Sequence, residues 1–210
     1  MSADITYKSL VVCDNGFSWN QTAYRFDDVK NLHWYRRHTT VRVNFVRSHT
    51  EDDFWLTIFT VDGAKFPLHA HDSDSVFTLI YKQIRDTDPW KNPCAVLRQA
   101  HAALAEKTFG ARSCIYLSQL AQNDHFNYSG SEFSQDGWVT NGKSRFQINR
   151  CSVTRSSYHV TFTPIDKAEV KPGLFQRMWS GPARIVVKTS TDQDVFFALL
   201  HKLYGLRWDN

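Results

Sequence analysis

The stretch Asp194-Val195-Phe196-Phe197-Ala198-Leu199-Leu200-His201-Lys202 repeats, 120 positions later, the stretch Asp74-Ser75-Val76-Phe77-Thr78-Leu79-Ile80-Tyr81-Lys82. A repeat constrains the fold more than any single motif, because it implies one supersecondary unit built twice. Other matches keep the same order. Tyr7, Gly16 and Asn20 recur 121 positions on as Tyr128, Gly137 and Asn141, and Phe17 is answered by Trp138. Arg25-Phe26 recurs as Arg145-Phe146 at a spacing of 120. Val41-Arg42-Val43-Asn44-Phe45 aligns with Tyr158-His159-Val160-Thr161-Phe162 at 117. Matching order with drifting spacing is expected of a duplicated module whose hairpins have changed length. The competing explanation is chance, since β-rich segments share glycine turns and alternating aromatics.

Two copies of roughly 85 residues fit a chain of 210 residues and the usual size of small domains. With 42% hydrophobic and 22% charged residues the chain has the material for packed cores and no signature of disorder. The net charge of +4 is spread along the chain and does not form the dense basic footprint of a dedicated nucleic-acid binder. Cys13, Cys94, Cys114 and Cys151 lie far apart with no C-x-x-C spacing, as reduced thiols do. The N-terminus lacks a charged and then apolar leader, and no run is apolar enough to span a membrane, so a cytoplasmic protein is expected.

From Ile5 to Leu68 the residues alternate between apolar and polar and are punctuated by turns. Asp14-Asn15-Gly16 and Asp62-Gly63 supply the positive φ angles of tight hairpins. After Asp74 the period changes. Val76, Phe77, Leu79, Ile80 and Ile84 fall on one helical face, and Phe196, Phe197, Leu199, Leu200, Leu203 and Tyr204 do the same behind Asp192 or Asp194. Between the copies, Asn92-Pro93 opens a helix expected over residues 93–108, with Gly110 as its stop.

Short strands closed by one amphipathic helix resemble pleckstrin-homology-like domains of the bacterial and GRAM type. The resemblance rests on Asp14 to Phe17, Tyr24 to Leu32, the Phe54 to Leu68 hairpin and the Asp74 to Arg85 helix. In the second copy it rests on Asp136-Gly137-Trp138, Phe146 to Ile148 and the Val195 to Tyr204 helix. It implies a mainly β α+β chain of two β-barrels, each closed by a C-terminal helix. The expected boundaries are a first domain over 1–87, a helical connector over 88–123 and a second domain over 124–210. The family's basic phosphoinositide cluster is not found at the first hairpin, which reads Val12-Cys13-Asp14-Asn15-Gly16-Phe17.

The candidate partner-binding residues are Trp34, Tyr35, Arg36, Arg37, His38, Arg42 and Arg47, within a carboxylate-free stretch from residues 30 to 49. Exposed aromatics beside arginine forks anchor protein interfaces or stack on bases. The plainer reading is a solvated hairpin whose arginines pair with Asp27, Asp28 or Asp52. His69 and His71 share a face if extended, but an H-x-H pair lacks the third ligand a zinc site needs. No G-x-S-x-G, phosphate-binding loop or H-E-x-x-H motif is present. The residues thus point to a non-catalytic scaffold without cofactor or metal that recognises a protein or peptide. An acidic-lipid or nucleic-acid binder is the second reading, and a metal-dependent hydrolase using His69 and His71 the third.

Overall fold

The computed structural model describes residues 4–43, 46–75, 92–142, 144–165 and 183–208. The chain divides into two compact units, Met1–Arg112 and Ser113–Asn210. Both are mainly β.

Unit 1 begins with a four-stranded antiparallel meander, β1 (Ile5–Tyr7), β2 (Leu10–Val12), β3 (Gly16–Trp19) and β4 (Thr22–Arg25). A 3-10 turn over Phe26–Asp28 leads to a second meander of β5 (Val29–Val43), β6 (Val46–Thr60) and β7 (Lys65–Ser75), with β6 in the centre. Successive strand residues point to opposite faces, and in β6 the even-numbered Phe54, Leu56 and Ile58 are buried. They meet Leu32 and Trp34 of β5 and Phe66, Leu68 and Ala70 of β7. Helix α1 (Pro93–Asn123) contributes Cys94, Leu97, Ala100 and Leu104 to the same core. Asn92 caps it: its Oδ1 accepts from the amides of Cys94 and Ala95 at 2.9 and 3.1 Å, while its Nδ2 donates to Asp72 Oδ2 at 2.7 Å. One side chain thereby satisfies orphan amides of the helix and ties it to β7.

Unit 2 has the same order of elements. The strands β8 (His125–Tyr128), β9 (Ser131–Ser134), β10 (Trp138–Asn141) and β11 (Ser144–Gln147) form one sheet, and a 3-10 turn over Ile148–Arg150 follows. The strands β12 (Cys151–Arg155), β13 (His159–Pro164) and β14 (Ile185–Lys188) form another, and helix α2 (Gln193–Tyr204) comes last. Val195, Phe196, Leu199 and Leu200 of α2 enter a core with Phe126, Phe133, Phe162 and Val187, joined by Leu120 from α1. Gly205 ends α2 at φ 69°, its amide bonding His201 O at 2.9 Å.

The expected pair of closed barrels is overturned. Each unit holds two separate antiparallel sheets, and among the described residues none closes on itself. A terminal helix for each copy fails as well: Asp74 and Ser75, the expected start of the first one, end strand β7. Residues 76–85 of that expected helix lie outside the described residues.

The connector helix does not stop at Gly110 but continues to Asn123. Gly110 is exposed, and a side chain there would meet nothing within 4 Å, so the helix passes through it at the cost of propensity alone. The glycine of Asn15-Gly16 also has an unexpected role. Its φ is not positive, but an added Cβ would lie 2.3 Å from Tyr24 O on the adjacent strand. Close backbone approach therefore demands glycine at 16, whereas Gly63 sits at φ 90° as the Asp-Gly turn predicts.

These two glycines give opposite expectations. In chemical denaturation, Gly110→Ala should stabilise the chain by roughly 0.5–1 kcal/mol. Gly16→Ala should destabilise it by about 1–3 kcal/mol through overpacking against the Tyr24 carbonyl.

Candidate functional site

Strand alternation divides the candidate patch. On β5, Trp34, Arg36 and His38 turn to the face that carries α1, and Tyr35 and Arg37 to the opposite, outer face. Trp34 is half-buried, packed on Phe54 and stacked on His101 of α1 at 4.4 Å and 9° between planes. Arg36 directs both Nε and Nη2 at Asp52 Oδ1, at 3.0 and 2.9 Å, and His38 Nδ1 meets the same oxygen at 3.0 Å. Burial raises the Asp52 carboxyl, but the hydrogen bonds of His38 and Arg36 outweigh it and leave the group below its ordinary value. Arg42 is exposed and lies opposite Arg47 near the β5–β6 turn. The side chain of Arg47 is outside the described set. The seven residues therefore do not form one surface.

The outer face instead brings together residues from three strands. Its first row is Tyr35, Trp55 and His69, directly opposite one another on β5, β6 and β7. Trp55 and His69 stack with centroids 4.8 Å apart and planes 14° apart, and Tyr35 lies 5.3 Å from Trp55 at 39°. Adjacent strands are spaced by about 4.8 Å. Trp55 thus has a ring neighbour on each side along the row. The next row is Arg37, Asp53 and His71.

Asp53 organises that row. It is 4% exposed, although all its partners reach solvent. Arg37 Nε and Nη2 donate to Oδ2 at 3.2 and 2.8 Å. His69 Nε2 and His71 Nδ1 meet Oδ1 at 3.0 and 2.9 Å. Burial acts to raise the Asp53 carboxyl, but the hydrogen bonds from Arg37, His71 and His69 prevail and bring it down to about 2. An ionised carboxylate only accepts, so each imidazole must present N–H to it. Arg37 also lies over Trp55, with Cζ 5.5 Å from the ring centroid, and couples the two rows.

Sequence reasoning found Tyr35 and Arg37 but missed Asp53 and Trp55. It weighed His69 and His71 as metal ligands, found no third ligand, and did not pair them with Asp53. Among the described residues no three His, Cys, Asp or Glu side chains are arranged to hold a metal ion. The H-x-H spacing was the available signal: it puts two imidazoles on one face of a strand, and pairing with β6 supplies their carboxylate.

Burial, followed by Asp72 and Asp52, pushes the Cys94 thiol up to about 11. Among the described residues neither His69 nor His71 bonds a hydroxyl or thiol through its ring. No helix among the described residues is long and apolar enough to cross a membrane. No protein-family model, curated protein or solved structure matches the chain.

Asp53 gives a pH expectation of definite sign. A carboxyl lowered from 3.8 to about 2 contributes stability that is full above the unfolded value and disappears as pH falls through about 2. Asp53→Asn should therefore lose about 2 kcal/mol at neutral pH in urea titrations. Its deficit relative to the unsubstituted chain should shrink as pH falls below about 4.

Proposed function

We propose that the chain is a non-catalytic recognition protein and that unit 1 binds a protein or peptide partner on the outer face of the β5–β6–β7 sheet. One observation carries this reading: an aromatic row lies beside an Arg–His row anchored on a buried carboxylate. Tyr35 and Trp55 each combine a large apolar ring with one polar group. Such amphipathic, conformationally restricted side chains are what interface anchors consist of. The anchoring also limits the ordering entropy lost on association.

One geometric fact weighs against a nucleic-acid or acidic-lipid surface: the Arg36 and Arg37 forks each close on an aspartate oxygen. The hydrolase reading has no observation in its favour.

The same order of elements in both units supports reading the chain as a doubled module. The face of the β12–β13–β14 sheet opposite its core carries Ser152, Thr154, His159, Thr161, Thr163, Val186 and Lys188, with one histidine opposite a lysine but no aromatic row and no carboxylate among these strand residues. Recognition therefore belongs to unit 1 in this reading, and unit 2 supports it. A cytoplasmic setting is part of this reading, in which the four free cysteines stay reduced.

The test is affinity capture from cells with the full chain and with its Trp55→Ala and Tyr35→Ala variants. A specific protein should be retained by the unsubstituted chain. Each variant should bind it about tenfold more weakly or worse, with an unchanged far-UV spectrum. Undiminished capture by folded variants would discard this face as the binding surface.

A further inference from the structure

The row beside the aromatics does more than hold a surface in place. Asp53, ionised and buried, takes one N–H from each imidazole, so the second nitrogen of each ring, His69 Nδ1 and His71 Nε2, points away from it. The His69, His71 and Arg37 side chains are 47%, 49% and 57% exposed, against 5% for the carboxylate under them. Among the described residues no protein group bonds those outer nitrogens. On a neutral imidazole an outer nitrogen is an acceptor; on an imidazolium it is a donor.

We propose that His69 and His71 form a proton-gated seat for a carboxylate of the partner, so that acidification turns this face from a hydrogen-bond acceptor into a cationic donor pair. This rests on the recognition reading above and names the chemistry of the bound segment: an acidic peptide stretch. With both rings neutral, Arg37 and Asp53 cancel. Protonation of both rings adds two positive charges to a row whose carboxylate, Asp53, already faces Arg37, and Glu51 one row further carries a single negative charge.

The other charged and titratable groups around the seat include one further carboxylate on the same face, Glu51, which acts on Arg37. From β5 come Arg37 and Tyr35, and from β6 come Asp53 and, one row further, Glu51. The turn between β1 and β2 contributes Lys8, whose ammonium bonds the His69 carbonyl at 2.9 Å. His33 stands one row beyond Tyr35, pushed below the ordinary imidazole range by burial and by Lys65. Asp72 belongs to the opposite face, where it holds Asn92. Imidazole side chains as a class change charge between about pH 5 and 8.

The experiment measures binding of a hexaglutamate peptide to the full chain by calorimetry at about pH 5.5 and about pH 7.5. The peptide should bind about tenfold more tightly at the lower pH, equivalent to one added charge-assisted hydrogen bond. The gain should vanish in the His69→Gln/His71→Gln variant, whose amides can still donate to Asp53. It should persist in His159→Gln, a substitution at an exposed histidine of unit 2. In the unsubstituted chain, the peptide should move the ring resonances of His69 and His71 and leave those of His159 in place. Equal affinity at both pH values, a gain that survives in the double variant, or no binding at the lower pH would each overturn the proposal. A captured partner that is lost on Trp55→Ala but indifferent to pH and to the double glutamine variant would remove the gate and leave the recognition face standing.

Discussion

The two-residue period of strand β6 is the constraint from which the rest of unit 1 follows. Phe54, Leu56 and Ile58 must be covered, and α1 covers them with Leu97, Ala100 and Leu104. Once that face is committed, Asp53 and Trp55 are forced to the other side together with their neighbours on β5 and β7. The adjacent carboxylates Asp52 and Asp53 are consequently separated by a sheet. One collects Arg36 and His38, the other Arg37, His69 and His71. A slip of one residue in this ladder would exchange them and place apolar side chains in water.

The electrostatic logic differs between the two aspartates. Asp52 pairs at a partly wetted edge, where ion pairs contribute little. Asp53 is almost sealed, and a sealed carboxylate without donors would be costly. Four nitrogens from three side chains answer that cost. The histidines there act first as hydrogen-bond donors to a carboxylate, which is why an H-x-H pair on a strand need not signal a metal.

Much of the local structure was legible because it depends on neighbours in sequence. Asn92-Pro93 opened a helix, Asp62-Gly63 made a turn at positive φ, and Phe196 to Tyr204 formed an amphipathic face. Long-range closure was not legible: turn and hydrophobic patterns describe a strand but not whether a sheet curls back on itself. The Arg-rich candidate patch divides for a related reason, since seven residues, five of them consecutive, were treated as one surface although a strand deals its residues alternately to two. Alignment by residue identity misled as well. Val160 and Phe162 occupy a central strand, as Leu56 and Ile58 do, whereas Val41 and Val43 end an outer one. Asp53 was hidden because its importance comes from strands 16 residues away on either side.

Helix α1 is not a tether between finished domains. Its first half supplies four buried side chains to the interior of unit 1, and Tyr116, Leu117 and Leu120 near its end pack into that of unit 2. A gene-level cut that began unit 2 at Asp124 would strip those three side chains and expose Phe126, which Tyr116 contacts edge-on. Shuffling of such a module between proteins would have to carry its share of the helix with it, so that lineage and packing restrict where recombination could succeed.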